Sequence, residues 1–209
     1  MLENKFKRLC QNYSKDEKLI AKLWREIHQE YSSQERHYHT LTHLEHMYTE
    51  LEAIKMTPLF AFAIFYHDIV YDAENNDNEV ASAFLAKARL RELMLPKKFY
   101  EQVCQLILET QSHQASSQDN ALFLDADLSI LGSPYALYKI YTLKVRKEYA
   151  VYDDLTYFKG RKKVLKAFLE KKKIYQTEHF YEKYEKQGRD NMLIEYNSII
   201  KDLQYLDKK

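Results

Sequence analysis

Along most of the chain apolar residues recur three and four positions apart, and the alternation expected of half-buried strands is hard to find. Leu19, Ile20, Leu23, Trp24, Ile27 and Tyr31 form one such stripe, and Ser14 with Glu17 reads as a capping box in front of it. Thr57 and Pro58 form a cap and first-turn pair ahead of LFAFAIFYHD. That segment is apolar around most of its circumference, so the pattern predicts a helix at the centre of the fold. Further helices are expected over about 78–93, 96–109, 122–131 with Gly132 as the stop, from Ser133-Pro134 onward, and over about 155–172 and 177–206. The polar runs DAENNDN and QSHQASSQDN read as loops. With three Gly and three Pro in the whole chain, an all-α, single-domain helical bundle is the expected fold.

Composition narrows the function without naming it. A length of 209 residues with 45% hydrophobic content suits one domain spanning 1–209, large enough to bury a rigid site. A formal net charge of +1 gives no global field toward nucleic acid or an acidic membrane. Cys10 and Cys104 lie far apart in helix-like surroundings, which fits a reducing compartment and points to the cytoplasm. No apolar run approaches a membrane span, and the opening MLENKFKRLCQNYSKDEK lacks the apolar stretch of a secretory signal. A membrane partner is therefore not expected.

The chemistry concentrates in two places. RHYHTLTHLEHM, residues 36–47, holds four of the eight histidines, and the central apolar helix ends in His67-Asp68. A charged pair at the end of so apolar a helix is costly unless compensated, and a divalent cation would satisfy both the carboxylate and the imidazole lone pair. Taken alone, the pair is as well explained by His67 donating to a backbone carbonyl and Asp68 capping a neighbouring helix. It is not alone. His43 precedes His67 by 24 positions, room for the rest of one helix, a turn and a return helix. Downstream, LFLDADLSILG offers Asp125 and Asp127. A mixed set of two imidazoles and two carboxylates favours an open, catalytic site for manganese, iron, cobalt, nickel, zinc or magnesium over a closed structural zinc.

The order His43, His67-Asp68, Asp resembles the HD-domain superfamily of metal-dependent phosphohydrolases. RHYHTLTHL, FYHDIVYD, DNEVASAF, LDADLSILG and YFKGR, spread over residues 36–161, together look like a bacterial family of predicted HD phosphohydrolases. The resemblance implies an all-helical HD-type domain, with a metal-site core over about 36–131 and C-terminal helices 133–206 packed on it. It also implies one or two divalent metal ions and hydrolysis of a phosphate ester or anhydride in a small phosphorylated substrate, a nucleotide being one candidate. Aligned with the superfamily, the last ligand falls on Asp127, after a small residue; Asp125 lies roughly 200° around a helix from it and would orient a ligand or cap a helix instead. Tyr38-His39 followed by His43 also resembles cyclic-nucleotide phosphodiesterases, where the first histidine gives a proton to the leaving oxygen; Thr40 replaces the asparagine of that signature. If the segment is helical, His39 and His43 share a face. Asp68 is the implied bridge to a second ion, and Asp72 falls where some relatives orient water.

Other residues keep two readings. Arg36 is as suited to gripping a phosphate in a fork as to capping or pairing on the surface. His113 reads as a phosphate contact or a solvated loop histidine. Lys144, Arg146 and Arg161 are cations for a substrate phosphate, although most cations near runs such as KKK form a solvated face. Tyr38, Tyr66 and Tyr71 would stack a base, or edge the core. His46 reads as a helix-surface or core histidine, and Asp77 with Glu79 as a helix start. A non-hydrolytic HD module that senses nucleotide or metal is the alternative to the enzyme.

Overall fold

The computed structural model describes residues 2–206 and contains helices and no strand among them. The fold is all-α, as the periodicity predicts. Helices α1 (Leu2–Gln11), α2 (Glu17–Glu30), α3 (Leu41–Glu52), α4 (Pro58–Tyr66), α5 (Asn78–Glu92) and α6 (Lys97–Glu109) lead to α7 (Gln118–Asp127). A short 3₁₀ helix, η1 (Leu128–Gly132), follows, and then α8 (Tyr135–Glu148), α9 (Asp154–Glu170) and α10 (Glu178–Leu206). Contacts divide the chain into two compact units, residues 1–124 and 125–209.

In the first unit α4 is the hub, packed against α1, α3, α5 and α6. Phe60 through Tyr66 are all buried, so this helix has no polar face to present. Phe65 meets Phe6 edge-on at 5.0 Å and Phe62 meets Phe99 at 6.0 Å, the T-shaped geometry that aromatic quadrupoles favour. Each such side chain contributes roughly 1.5–3 kcal/mol by leaving water. The start of α4 is as expected: Thr57 Oγ1 accepts from the Phe60 amide at 3.1 Å, and Pro58 occupies the first turn. With its N-terminus capped and its flanks packed, α4 delivers His67 and Asp68 to a fixed place at its other end.

Several boundaries differ from the sequence expectation. The cap of α2 is Asp16, whose carboxylate accepts from Leu19 N at 3.0 Å, and Ser14 Oγ instead accepts from Asp16 N. The helix starts later than a Ser14 cap would require, so Asp16 is the residue in reach of the third amide. Helix α1 adds an element to those expected, and it buries Leu2, Phe6, Leu9 and Cys10, which share one face at three-and-four spacing. Helix α7 begins four residues earlier than its apolar pattern, since Ser117 Oγ accepts from Asn120 N at 3.1 Å and sets the first turn in polar sequence.

In the second unit α10 packs against η1, α8 and α9. Gly132 does end a helical stretch, but no glycine has a positive φ. Its role is close approach: a Cβ there would lie 2.5 Å from Tyr184 Cβ and 2.7 Å from Tyr184 O.

Candidate metal centre

Three side chains of the first unit converge: His43 from the first turn of α3, His67 from the end of α4, and Asp68 beside it, with one donor atom of each within 4.8 Å of the others. His43 and His67 are buried to 1% side-chain exposure and Asp68 keeps 18%, so the cluster is closed on the imidazole side and open at the carboxylate. His43 Nε2 and His67 Nε2 are 3.1 Å apart. Asp68 Oδ2 lies 3.0 Å from His67 Nε2 and 3.8 Å from His43 Nε2.

The second nitrogen of His67 fixes the polarity of the first. Nδ1 is 3.0 Å from the Ile64 carbonyl, which can only accept, so the ring proton sits on Nδ1. Nε2 of the neutral ring is then an acceptor, aimed at a carboxylate oxygen that is also an acceptor. Two acceptors at that spacing need positive charge between or upon them, from a second ring proton or a cation. The dimensions suit a cation: the circle through three atoms so spaced has a radius of about 2 Å, and imidazole nitrogen and carboxylate oxygen bind divalent metals at about 2.0–2.2 Å. The backbone bond to Ile64 is the orienting contact that metal-binding histidines commonly have. The residues present therefore fit a divalent ion with further coordination positions left for water or substrate.

His39 stands beside this triad. Its Nε2 is 3.9 Å from Asp68 Oδ2, its ring is 5.8 Å from that of His43, and it stacks on Tyr71 at 4.3 Å. It does not share a helix face with His43: Thr40, extended at φ −117°, is the N-cap of α3, so His39 lies before the helix. The loop brings the two rings together instead.

Asp68 is also held through its main chain. Its amide donates to Tyr31 Oη at 3.2 Å, and its carbonyl accepts from Arg36 NH1 at 2.6 Å. The same NH1 reaches His39 O at 3.2 Å, and NH2 reaches Ile69 O at 2.8 Å. Arg36 is buried, with its guanidinium over the Tyr31 ring at 4.7 Å. Its guanidinium is thus spent on main-chain carbonyls inside the fold and forms no surface pair of the kind its sequence reading offered. Tyr31 was missed as anything but a core position, because nothing in its local sequence says which amide its hydroxyl meets.

The remaining residues fall elsewhere. Asp72 is exposed in the loop after α4, where its carboxylate accepts from Glu74 N and Asn75 Nδ2 and shapes a turn. His113 sits at φ 51° in the loop after α6. Tyr66 is wholly buried.

In the second unit Asp125 is fully buried and accepts from Gln176 N, Thr177 N and Thr177 Oγ1, tying down the entry to α10. Burial raises its carboxyl above the ordinary range, although the bonds from Thr177 and Gln176 pull the other way. Asp127, half-buried with helical backbone, closes α7. Lys144 is half-buried on α8. Arg146 bonds to Asp154 and to the carbonyls of Tyr149 and Tyr152. Arg161 forms a two-pronged pair with Glu195 at 2.8 and 3.0 Å, with Tyr138 bonding to the same carboxylate.

Set against protein-family models, curated proteins and solved structures, the chain finds no match in any of the three. No helix among the described residues is long and apolar enough to cross a membrane.

Proposed function

We propose that this chain is a metal-dependent phosphohydrolase of the HD-domain type, acting on a phosphate ester or anhydride of a small metabolite, with nucleotides the first class to try. The observation that carries this reading is the meeting of His43 Nε2, His67 Nε2 and Asp68 Oδ2 at the spacing of ligands on one ion. A divalent cation held there supplies Lewis acidity toward a phosphoryl oxygen and toward water. His67 keeps its Nε2 turned inward through its bond to Ile64 O. Asp68, the more exposed of the three, faces the side from which substrate would enter. His39, partly exposed and beside the Asp68 carboxylate, is the proposed donor of a proton to the leaving oxygen.

The test is release of phosphate from a panel of nucleotides and phosphoesters, with manganese, nickel, cobalt or magnesium added to metal-free protein. Turnover that requires metal and is lost in His67→Ala and Asp68→Ala is the expected result. Tight nucleotide binding with no turnover under any metal would instead favour a binding module. In the same assay His39→Ala should lower kcat while sparing metal binding.

A further inference from the structure

We infer that Arg36, with Tyr31 beneath it, is a positioning residue for the metal centre rather than a ligand for the substrate's phosphate; the inference rests on the metal-centre reading above. The guanidinium is 7% exposed, and two of its nitrogens make three bonds to main-chain carbonyls. Two of those carbonyls belong to residues that the proposed chemistry uses, and the third to the neighbour of one of them. One is that of Asp68, one that of its neighbour Ile69, and one that of His39, which comes from a different segment of chain. Arg36 thus fastens the end of α4 to the loop before α3.

Asp68 is gripped from both faces of its peptide. Tyr31 Oη takes its amide hydrogen at 3.2 Å and Arg36 takes its carbonyl at 2.6 Å. A residue held at both N–H and C=O has its Cα–Cβ vector fixed in place, so only the two side-chain torsions are left to set the carboxylate beside His67. Asp68 needs this more than His67 does, since His67 is the C-cap of α4 and its amide still bonds Ala63 O, whereas Asp68 lies beyond that cap. The aromatic rings of Tyr31 and Tyr71, 4.7 and 5.5 Å from the guanidinium carbon, fix Arg36 in turn. Lysine cannot reproduce the arrangement, because a point-like ammonium does not span three carbonyls as a planar fork does.

Cobalt(II), read by its visible absorption, separates the possibilities. Metal-free wild type, Arg36→Lys and Tyr31→Phe are titrated with Co²⁺, melted without metal, and assayed for kcat and KM on any phosphoester that the wild type turns over. Arg36→Lys should bind Co²⁺ about 10–100-fold more weakly, the usual cost of losing an orienting partner, with a changed absorption band and a melting temperature near wild type. Tyr31→Phe should shift Co²⁺ affinity the same way by a smaller factor, and decides the matter if the arginine variant does not fold. Wild-type Co²⁺ affinity and spectrum in both variants overturns the inference. So does an effect of Arg36→Lys confined to KM, with metal binding unchanged, which would return Arg36 to phosphate binding. Failure of the wild type to bind Co²⁺ or any other divalent ion strikes the metal-centre reading itself.

Discussion

His43 and His67 turn their Nε2 atoms toward each other at 3.1 Å inside the first unit, from two helices whose sequences lie 24 residues apart. Neutral imidazoles so placed share a proton or a cation, and the Asp68 oxygen 3.0 Å from His67 adds the negative charge that favours the cation.

Ion binding should therefore stabilise the folded chain. At a free metal concentration a hundred times the Kd, linkage gives about 2.7 kcal/mol, which for a chain of this size raises Tm by roughly 5–10 °C. Scanning calorimetry with and without manganese or nickel, after chelator treatment, checks this. In His43→Ala and His67→Ala the metal-dependent rise should vanish.

Glu109, buried at the end of α6, accepts from Gln105 Nε2, Ser116 N and Oγ, and Asn120 Nδ2. Burial alone would raise its carboxyl, but these bonds outweigh it and hold the group below its ordinary 4.5. The folded state thus binds this proton less readily than the unfolded chain. The stabilisation is complete above 4.5 and is lost as the pH falls through the lowered folded value. Glu109→Gln should cost about 1–3 kcal/mol at neutral pH, with the gap to wild type narrowing in acid. Urea unfolding over a pH series measures it.

Met94 has φ 62° and ends α5 in a Schellman arrangement: Leu95 N donates to Leu90 O, and Met94 N to Arg91 O. A left-handed backbone costs a side-chain-bearing residue about 1 kcal/mol, and Met94 is 84% exposed, so little packing is lost on removing it. Met94→Gly should stabilise the protein by up to about 1 kcal/mol in urea unfolding.

Two glycines should respond in opposite ways to alanine. At Gly132 the added methyl meets Tyr184 backbone and Cβ below 3 Å, and neither can swing aside, so Gly132→Ala should destabilise by at least ~2 kcal/mol. At Gly160, within α9, nothing lies within 4 Å, and Gly160→Ala should stabilise by about 0.5–1 kcal/mol. Thermal melts of the two variants, run together, compare a close-packed position with an open one.

The features legible along the chain were local in origin. Three-and-four periodicity announced the helices, Thr57-Pro58 marked the start of α4, and the apolar circumference of 58–66 put that helix in the centre, because these signals depend only on neighbours along the chain. A His-Asp pair at the end of so apolar a helix also made His67 and Asp68 conspicuous, and the 24-residue spacing to His43 left room for a helical return. The packing of distant segments settled which acceptor each donor meets. It took His39 out of α3, assigned Arg36 to three main-chain carbonyls, and set Tyr31 against the Asp68 amide. It likewise committed Asp125 to the entry of α10 and made Gly132 a point of close approach. A side chain's type fixes what bonds it can make, whereas its partner is fixed by how distant segments pack, and burial leaves few of those choices unmade.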